Sequence, residues 1–188
     1  GAPFDQSRIL GPSFPTATSA AAMDFDGTGA VTISDSPTIY SGADMTVEAW
    51  VRPKAIASPT YQMIVTKGAG TGATVNRFEL RLHPDRRLEF VQKTAANPYE
   101  VFTGSVPVPV ETWSHVAATR AADGTIKLYV NGFKAGEWHP TSGAVPTNNE
   151  PVRIGARADG WGFVGAIDEV VISGVALSGE QVVARLKA

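Results

Sequence analysis

The plainest pattern in the chain is the alternation Arg77-Phe78-Glu79-Leu80-Arg81-Leu82-His83, which sets Phe78, Leu80 and Leu82 on one face and Arg77, Glu79, Arg81 and His83 on the other. A period of two residues belongs to an extended strand with one buried face. The polar row is expected to be a solvated face, given the surface bias of Arg and Glu. Asp85-Arg86 then turns the chain into Leu88-Glu89-Phe90-Val91, which predicts a hairpin. Glu79 and Glu89 fall on neighbouring strands beside arginines and read as surface ion pairs. Asp123-Gly124 and Asn131-Gly132 bracket Thr125-Ile126-Lys127-Leu128-Tyr129-Val130. Both pairs tolerate the positive φ of a type I′ turn, so a three-stranded antiparallel meander is predicted from Trp113 to about Trp138. One segment reads as helix: Ser178 stands three residues before Gln181 as a capping box, and Val182, Val183 and Leu186 share a face. Short strands at this density with one closing helix predict an all-β fold, a two-sheet antiparallel sandwich with one short C-terminal helix. Residues 8–22 are rich in Pro, Ser, Thr and Ala without periodicity, so residues 1–21 are expected to form an extended lead-in and residues 22–188 the domain.

Composition narrows the class. A chain of 188 residues that is 43% hydrophobic and 18% charged fits one domain able to fill its own core. With 16 basic against 18 acidic residues the formal charge is -2, and the basic residues form no stripe, so nucleic acid and anionic membrane are poor partners. There is no cysteine, which excludes a disulfide framework and a thiolate zinc site. No apolar run reaches the length of a membrane span. The start, Gly1-Ala2-Pro3, lacks the parts of a signal peptide, as expected of a mature form or an excised module.

The acidic cluster carries the first candidate chemistry. Asp24 and Asp26 flank Phe25, so on a strand both carboxylates point to one side and Phe25 to the other. Gly27-Thr28-Gly29 follows, a loop able to turn carbonyls toward a cation; calcium takes several such oxygen ligands. Asp24 to Asp35 also imitates an EF-hand loop. That reading fails, because the twelfth position holds Asp rather than Glu and Ala30-Val31-Thr32-Ile33 alternates as a strand where a helix is needed.

The stretches Met23-Asp24-Phe25-Asp26-Gly27, Thr46-Val47-Glu48-Ala49-Trp50-Val51, Trp113-Ser114-His115-Val116-Ala117, Lys127-Leu128-Tyr129-Val130-Asn131-Gly132 and Gly165-Ala166-Ile167-Asp168-Glu169-Val170 occur in a telling order, closed by Ala176-Leu177-Ser178. In order and spacing the chain resembles the laminin-G-like jelly rolls from about Ala22 to Leu186. The resemblance implies a concanavalin A-like sandwich of the kind found in carbohydrate-binding modules and pentraxin-like lectins. It also implies a structural calcium site in which Asp168 returns beside the first loop. Asp26 and Asp168 match that pattern, with the carbonyls of Gly27, Thr28 and Gly29 as further ligands. The alternative is that Asp26 caps a turn and Asp168 accepts a backbone hydrogen bond. Trp50 and Trp113 lie in the family's framework stretches and are expected in the core. His115, without a positioned carboxylate, is expected to be structural.

No catalytic set is legible. Glycoside hydrolysis needs two carboxyl groups facing each other across a cleft, and the Glu-x-Asp-x-x-Glu strand of hydrolases with this fold is absent. Asp168-Glu169 does not replace it, because adjacent strand residues point to opposite faces. The expectation is a non-catalytic extracellular binding module for a glycan or polysaccharide, on a larger multidomain bacterial chain that is secreted or cell-surface. The alternatives are a protein-binding adhesion domain and an accessory domain of a glycoside hydrolase or polysaccharide lyase. Trp161, on a loop between glycines, is the first candidate platform for a sugar face, with Arg157 and Asp159 beside it to hold hydroxyls; the alternative is that its ring folds back as a lid on the sandwich. Trp138 is second and Tyr99 third; Arg81 and His83 join them if their face is the concave one.

Overall fold

Alternating side chains and Gly-, Asn- and Asp-centred turns fold the chain into strands that, among the described residues, pair only with neighbours of opposite direction. The computed structural model describes residues 22–36, 39, 43–56, 60–68, 78–97, 99–140 and 143–186. The lead-in over residues 1–21 and Arg77 lie outside the described residues. The strands are β1 (Met23–Asp26), β2 (Val31–Ile33), β3 (Met45–Pro53), β4 (Gln62–Lys67), β5 (Phe78–Leu82), β6 (Arg87–Gln92), β7 (Glu100–Pro107), β8 (Ser114–Arg120), β9 (Ile126–Val130), β10 (Phe133–Trp138), β11 (Val152–Ile154) and β12 (Val164–Ser173), followed by helix α1 (Gly179–Arg185). They form two six-stranded sheets, one ordered β1-β12-β3-β8-β9-β10 and the other β2-β11-β4-β5-β6-β7. This is the two-sheet antiparallel sandwich that the pattern predicts, and the jelly roll that the resemblance implies.

The inner faces meet in one apolar core. Val47, Ala49 and Val51 of β3 and Val116 and Ala118 of β8 face Phe78, Leu80 and Leu82 of β5 and Leu88 and Phe90 of β6. The same parity corrects the expectation for two tryptophans. With Val47, Ala49 and Val51 inside, Trp50 points outward, opposite His115 in register and edge-on to its ring at 5.5 Å. Trp113 precedes Ser114 of β8 and is half-buried, outside the core cluster.

Turn chemistry differs between the two meander connections. Asn131 (φ 49°) and Gly132 (φ 75°) form the left-handed pair of a type I′ turn. At Asp123-Gly124 only Gly124 has positive φ, at 91°, and Gly124 N–H donates to the Ala121 carbonyl at 2.8 Å while Ala121 N–H donates to the Thr125 carbonyl. That is a three-residue loop, a type I turn closed by a left-handed glycine. The helix begins as predicted: Ser178 accepts from Gln181 N–H, and the Gln181 side chain accepts from Ser178 N–H at 2.8 Å. Val182 packs with Ala117 and Tyr129, so α1 covers the outer face of the first sheet. Beneath it lie Glu48 and His115, 3% and 2% exposed and 3.4 Å apart, so His115 does have a carboxylate neighbour.

Candidate functional site

The outer face of the second sheet is where sequence reasoning and structure part most sharply. Phe78, Leu80 and Leu82 enter the core, so Glu79 and Arg81 point the other way, but neither is solvated: Glu79 is 0% exposed and Arg81 2%. Register explains their company. Arg81 stands opposite Glu89 on β6, and Glu89 opposite Thr103 on β7. Arg81 donates from Nε to Glu89 at 2.8 Å and from Nη1 to Glu79 at 2.9 Å. The second Glu89 oxygen accepts from the Thr103 hydroxyl at 2.8 Å. Arg157 reaches the second Glu79 oxygen at 3.4 Å. The expected surface ion pairs are therefore a buried network.

Aromatic rings roof this network and keep water from it. The Arg81 guanidinium carbon lies 4.4 Å from the centre of the Tyr61 ring, 5.6 Å from that of Trp161 and 5.9 Å from that of Tyr99. Such spacing is that of a cation against aromatic faces. Arg81 Nη1 also donates to the Tyr99 hydroxyl at 2.9 Å. Burial opposes the charge on Arg81, but Tyr99, Glu89 and Glu79 outweigh it and hold its pKa above the ordinary value. Arg157 is raised in the same way, against burial, by Asp159 and Glu79.

The Trp161 loop is fixed by backbone rather than by its own side chains. Arg157 and Gly160 exchange backbone hydrogen bonds across a tight turn, which sets Arg157 and Asp159 side by side with Nη2 to carboxylate at 2.8 Å. Trp161 itself has φ 58°, and its carbonyl accepts from Met63 N–H at the edge of β4. Gly162 follows because nothing larger fits: a Cβ there would stand 1.9 Å from the Gly27 carbonyl oxygen. The loop thereby presses Trp161 onto Tyr61, with ring centres 4.8 Å apart, while the Arg157 guanidinium lies 3.9 Å from the Trp161 ring centre. Trp161 already packs against a ring and a guanidinium, unlike a free platform. Of the three aromatic residues around Arg81, Tyr99 is the most exposed, at 43%.

Of the residues picked from sequence, the structure thus brings together Trp161, Tyr99, Arg157, Asp159 and Arg81, with His83 edge-on to Tyr61 at 5.4 Å. Trp138 is not among them. It packs on the core against Phe102, ring centres 5.5 Å apart, and is a filler rather than a platform. Sequence reasoning missed Tyr61 and the burial of Glu79 and Glu89. The signal for Tyr61 was its place one residue before β4, two before Met63, which pairs with Arg81.

The expected cation ligands are kept apart. Asp26 pairs in register with Val164, while Asp168 lies four residues further along β12, beyond the Met23–Ile167 pair. At the rise of a strand that is about 13 Å, and two carboxylates on one calcium each sit within about 2.3–2.6 Å of it. The Asp26 carboxylate instead closes the Gly27-Thr28-Gly29 loop, accepting from Thr28 N–H at 2.9 Å and its hydroxyl at 2.6 Å. Asp168 accepts from Glu169 N–H at 2.8 Å at the start of a bulge where Glu169 has φ 48°. Among the described residues no group of three or more His, Asp or Glu could hold a metal ion.

The comparisons agree with this architecture. The family model of the concanavalin A-like lectin/glucanases superfamily, laminin-G type, matches residues 25–183. The chain belongs to that superfamily. No curated protein matches it at a significant level. Among solved structures, this concanavalin A-like domain is similar to the CBM40 domain of an IT-sialidase from Ruminococcus gnavus bound to α2,3-sialyllactose. There the identity is 16% and the TM-score 0.74, over 89% of this chain and 97% of that one. It is similar to domain 4 of an extracellular GH43 arabinanase from Geobacillus stearothermophilus in complex with arabinotriose, with 21% identity, TM-score 0.61, 87% of this chain and 75% of that one. A SAP-like pentraxin from Limulus polyphemus follows at 18% identity and TM-score 0.61, over 85% of this chain and 78% of that one.

Proposed function

We propose that this concanavalin A-like domain is a non-catalytic carbohydrate-binding module, carried on a larger secreted or cell-surface bacterial protein. Its glycan lies on the outer face of the second sheet, against Tyr99 and the edges of Tyr61 and Trp161. The observation that carries the reading is the ring of three aromatics around Arg81, with Tyr99 left open to solvent. Sugars offer flat C–H faces to aromatic rings and hydroxyls to charged groups at the rim, and His83, Asp159 and Arg157 stand at that rim. The sialidase and arabinanase domains with bound oligosaccharides support a glycan as the partner.

Chemistry at this face argues for binding without turnover. Glu79 and Glu89 are the nearest pair of carboxyl groups, but Glu79 accepts from Arg81 and Arg157, and Glu89 from Arg81 and Thr103. A general acid must hold a proton and reach the scissile oxygen; these two are clamped by cations and shut from water. No helix among the described residues is long and apolar enough to cross a membrane. A glycan microarray read with the purified domain tests the proposal. Specific oligosaccharide signals that Tyr99→Ala removes are the expected result. Binding to no glycan, together with retention of an extracellular protein, would favour adhesion instead.

A further inference from the structure

We propose that Arg81 is a positioning residue for glycan binding: it fixes the Tyr99 hydroxyl as a donor toward an acceptor oxygen of the sugar, an inference that rests on the glycan reading above. A phenol hydroxyl can donate or accept, whereas a guanidinium can only donate. At the 2.9 Å contact between Arg81 Nη1 and the Tyr99 oxygen the tyrosine must therefore accept. Its own proton is turned away from Arg81. Conjugation with the ring keeps that proton in the ring plane, where it has two places to sit, and Arg81 leaves it one. Arg81 is 2% exposed and Tyr99 43%, so the side away from Arg81 is the outer side, from which a sugar approaches.

Arg81 can set the proton because it is itself held from several directions. Its Nε donates to Glu89 at 2.8 Å, and Nη1 shares its two hydrogens between Glu79 and Tyr99. The Tyr61 ring lies against the guanidinium at 4.4 Å. The Tyr99 ring, by contrast, is seated by its own backbone. Tyr99 N–H donates to Asn97 Oδ1 at 3.1 Å, Asn97 N–H to the Thr94 hydroxyl at 3.0 Å, and Thr94 N–H to the Asn97 carbonyl at 2.9 Å. The turn places the ring, and Arg81 orients the hydroxyl. A hydroxyl that accepts from a cation is polarised and donates more strongly than a free phenol, and a rotor already fixed need not be frozen when the sugar arrives.

The test titrates the strongest oligosaccharide from the microarray and analogues of it that lack one hydroxyl, glycosidic or ring oxygen at a time: monodeoxy, thioglycoside and carbasugar forms. Wild type should discriminate against one analogue by roughly fivefold, the worth of one hydrogen bond. Tyr99→Phe should bind the parent more weakly by a similar factor and no longer tell that analogue from it. Arg81→Met, titrated well below its melting temperature with the fold checked by circular dichroism, should lose the same discrimination although Tyr99 is intact. A merely structural role would weaken parent and analogue alike. If Arg81→Met alone does not fold, Arg81→Met with Glu79→Gln and Glu89→Gln, which buries no charge at these three positions, takes its place. Discrimination retained in the folded Arg81 variant would overturn the inference. So would wild-type affinity in Tyr99→Phe beside weakened binding in Tyr99→Ala, which leaves a glycan on the ring but no donated proton. Binding of no glycan, or undiminished binding in Tyr99→Ala, would instead refute the reading on which the inference rests.

Discussion

Arg81→Met removes the cation from between two carboxylates that water scarcely reaches. The side chains of Arg81, Glu79 and Glu89 are 2%, 0% and 4% exposed. Truncating one partner of such a group leaves buried charge uncompensated and costs about 3–5 kcal/mol, whereas an exposed ion pair contributes about 0–1 kcal/mol. The aliphatic replacement retains bulk against Tyr61, so most of the loss is electrostatic. In a domain of this size each kcal/mol moves the midpoint by about 2–4 °C, giving a fall in Tm of roughly 6–20 °C. Thermal melting checks the figure, and urea unfolding at 25 °C checks that it is a change in stability with unchanged m. Adding Glu79→Gln and Glu89→Gln to Arg81→Met should recover part of the loss, because the surplus charge is gone. A fall below about 2 °C for Arg81→Met would place the network at the energy of a surface pair and refute the account of a buried network.

Gly162→Ala sets a Cβ 1.9 Å from the Gly27 carbonyl oxygen, a backbone atom that cannot rotate away. It should destabilise the domain by about 1–3 kcal/mol and shift tryptophan fluorescence; an unchanged melt would show that the loop is not clamped as described. The Asp123 carboxyl is held below its ordinary pKa, first by the Thr125 N–H that it accepts and then by the Thr125 side chain. Its stabilising effect is therefore complete above the usual carboxylate range and disappears as pH falls through the lowered value. Asp123→Asn should be less stable than wild type at pH 7 and converge with it in strong acid, and a gap in urea midpoint constant with pH would contradict this. Asp26 and Asp168 stand too far apart to share an ion, so calcium and chelator should leave Tm unchanged. A calcium-dependent rise erased by both Asp26→Ala and Asp168→Ala would restore the cation site.

The sandwich was legible because period and turn chemistry are local. Phe78, Leu80 and Leu82 declare a buried face in seven residues, and Ser178 with Gln181 declares a helix start. What surrounds the other face is not local. The burial of Glu79 and Arg81 depends on Tyr61, Tyr99 and Trp161, which lie 18 or more residues away and come together only through sheet pairing and the clamped loop. Strand parity assigned Glu79 and Arg81 to one face correctly, but solvation does not follow from parity. The tryptophans show the same limit. Trp50 could have been placed outside the core by counting from Val47, since strand residues an odd number of positions apart cannot share a face, but framework position was given more weight than parity. The separation of Asp26 from Asp168 needed the register of β1 against β12, which no spacing in the sequence specifies.

Isothermal titration of a microarray-selected oligosaccharide into the wild-type domain and into Tyr99→Ala tests the central claim most directly. Tyr99 is 43% exposed but its hydroxyl accepts from Arg81, so Tyr99→Ala should lower Tm by a few degrees while the lost ring contact and hydroxyl weaken binding by roughly tenfold, the loss of about 1.4 kcal/mol. Trp161→Ala should weaken binding too, with a larger fall in Tm, because its ring also packs on Tyr61 and Arg157. Undiminished affinity in both variants would put the glycan elsewhere and contradict the assignment of this face.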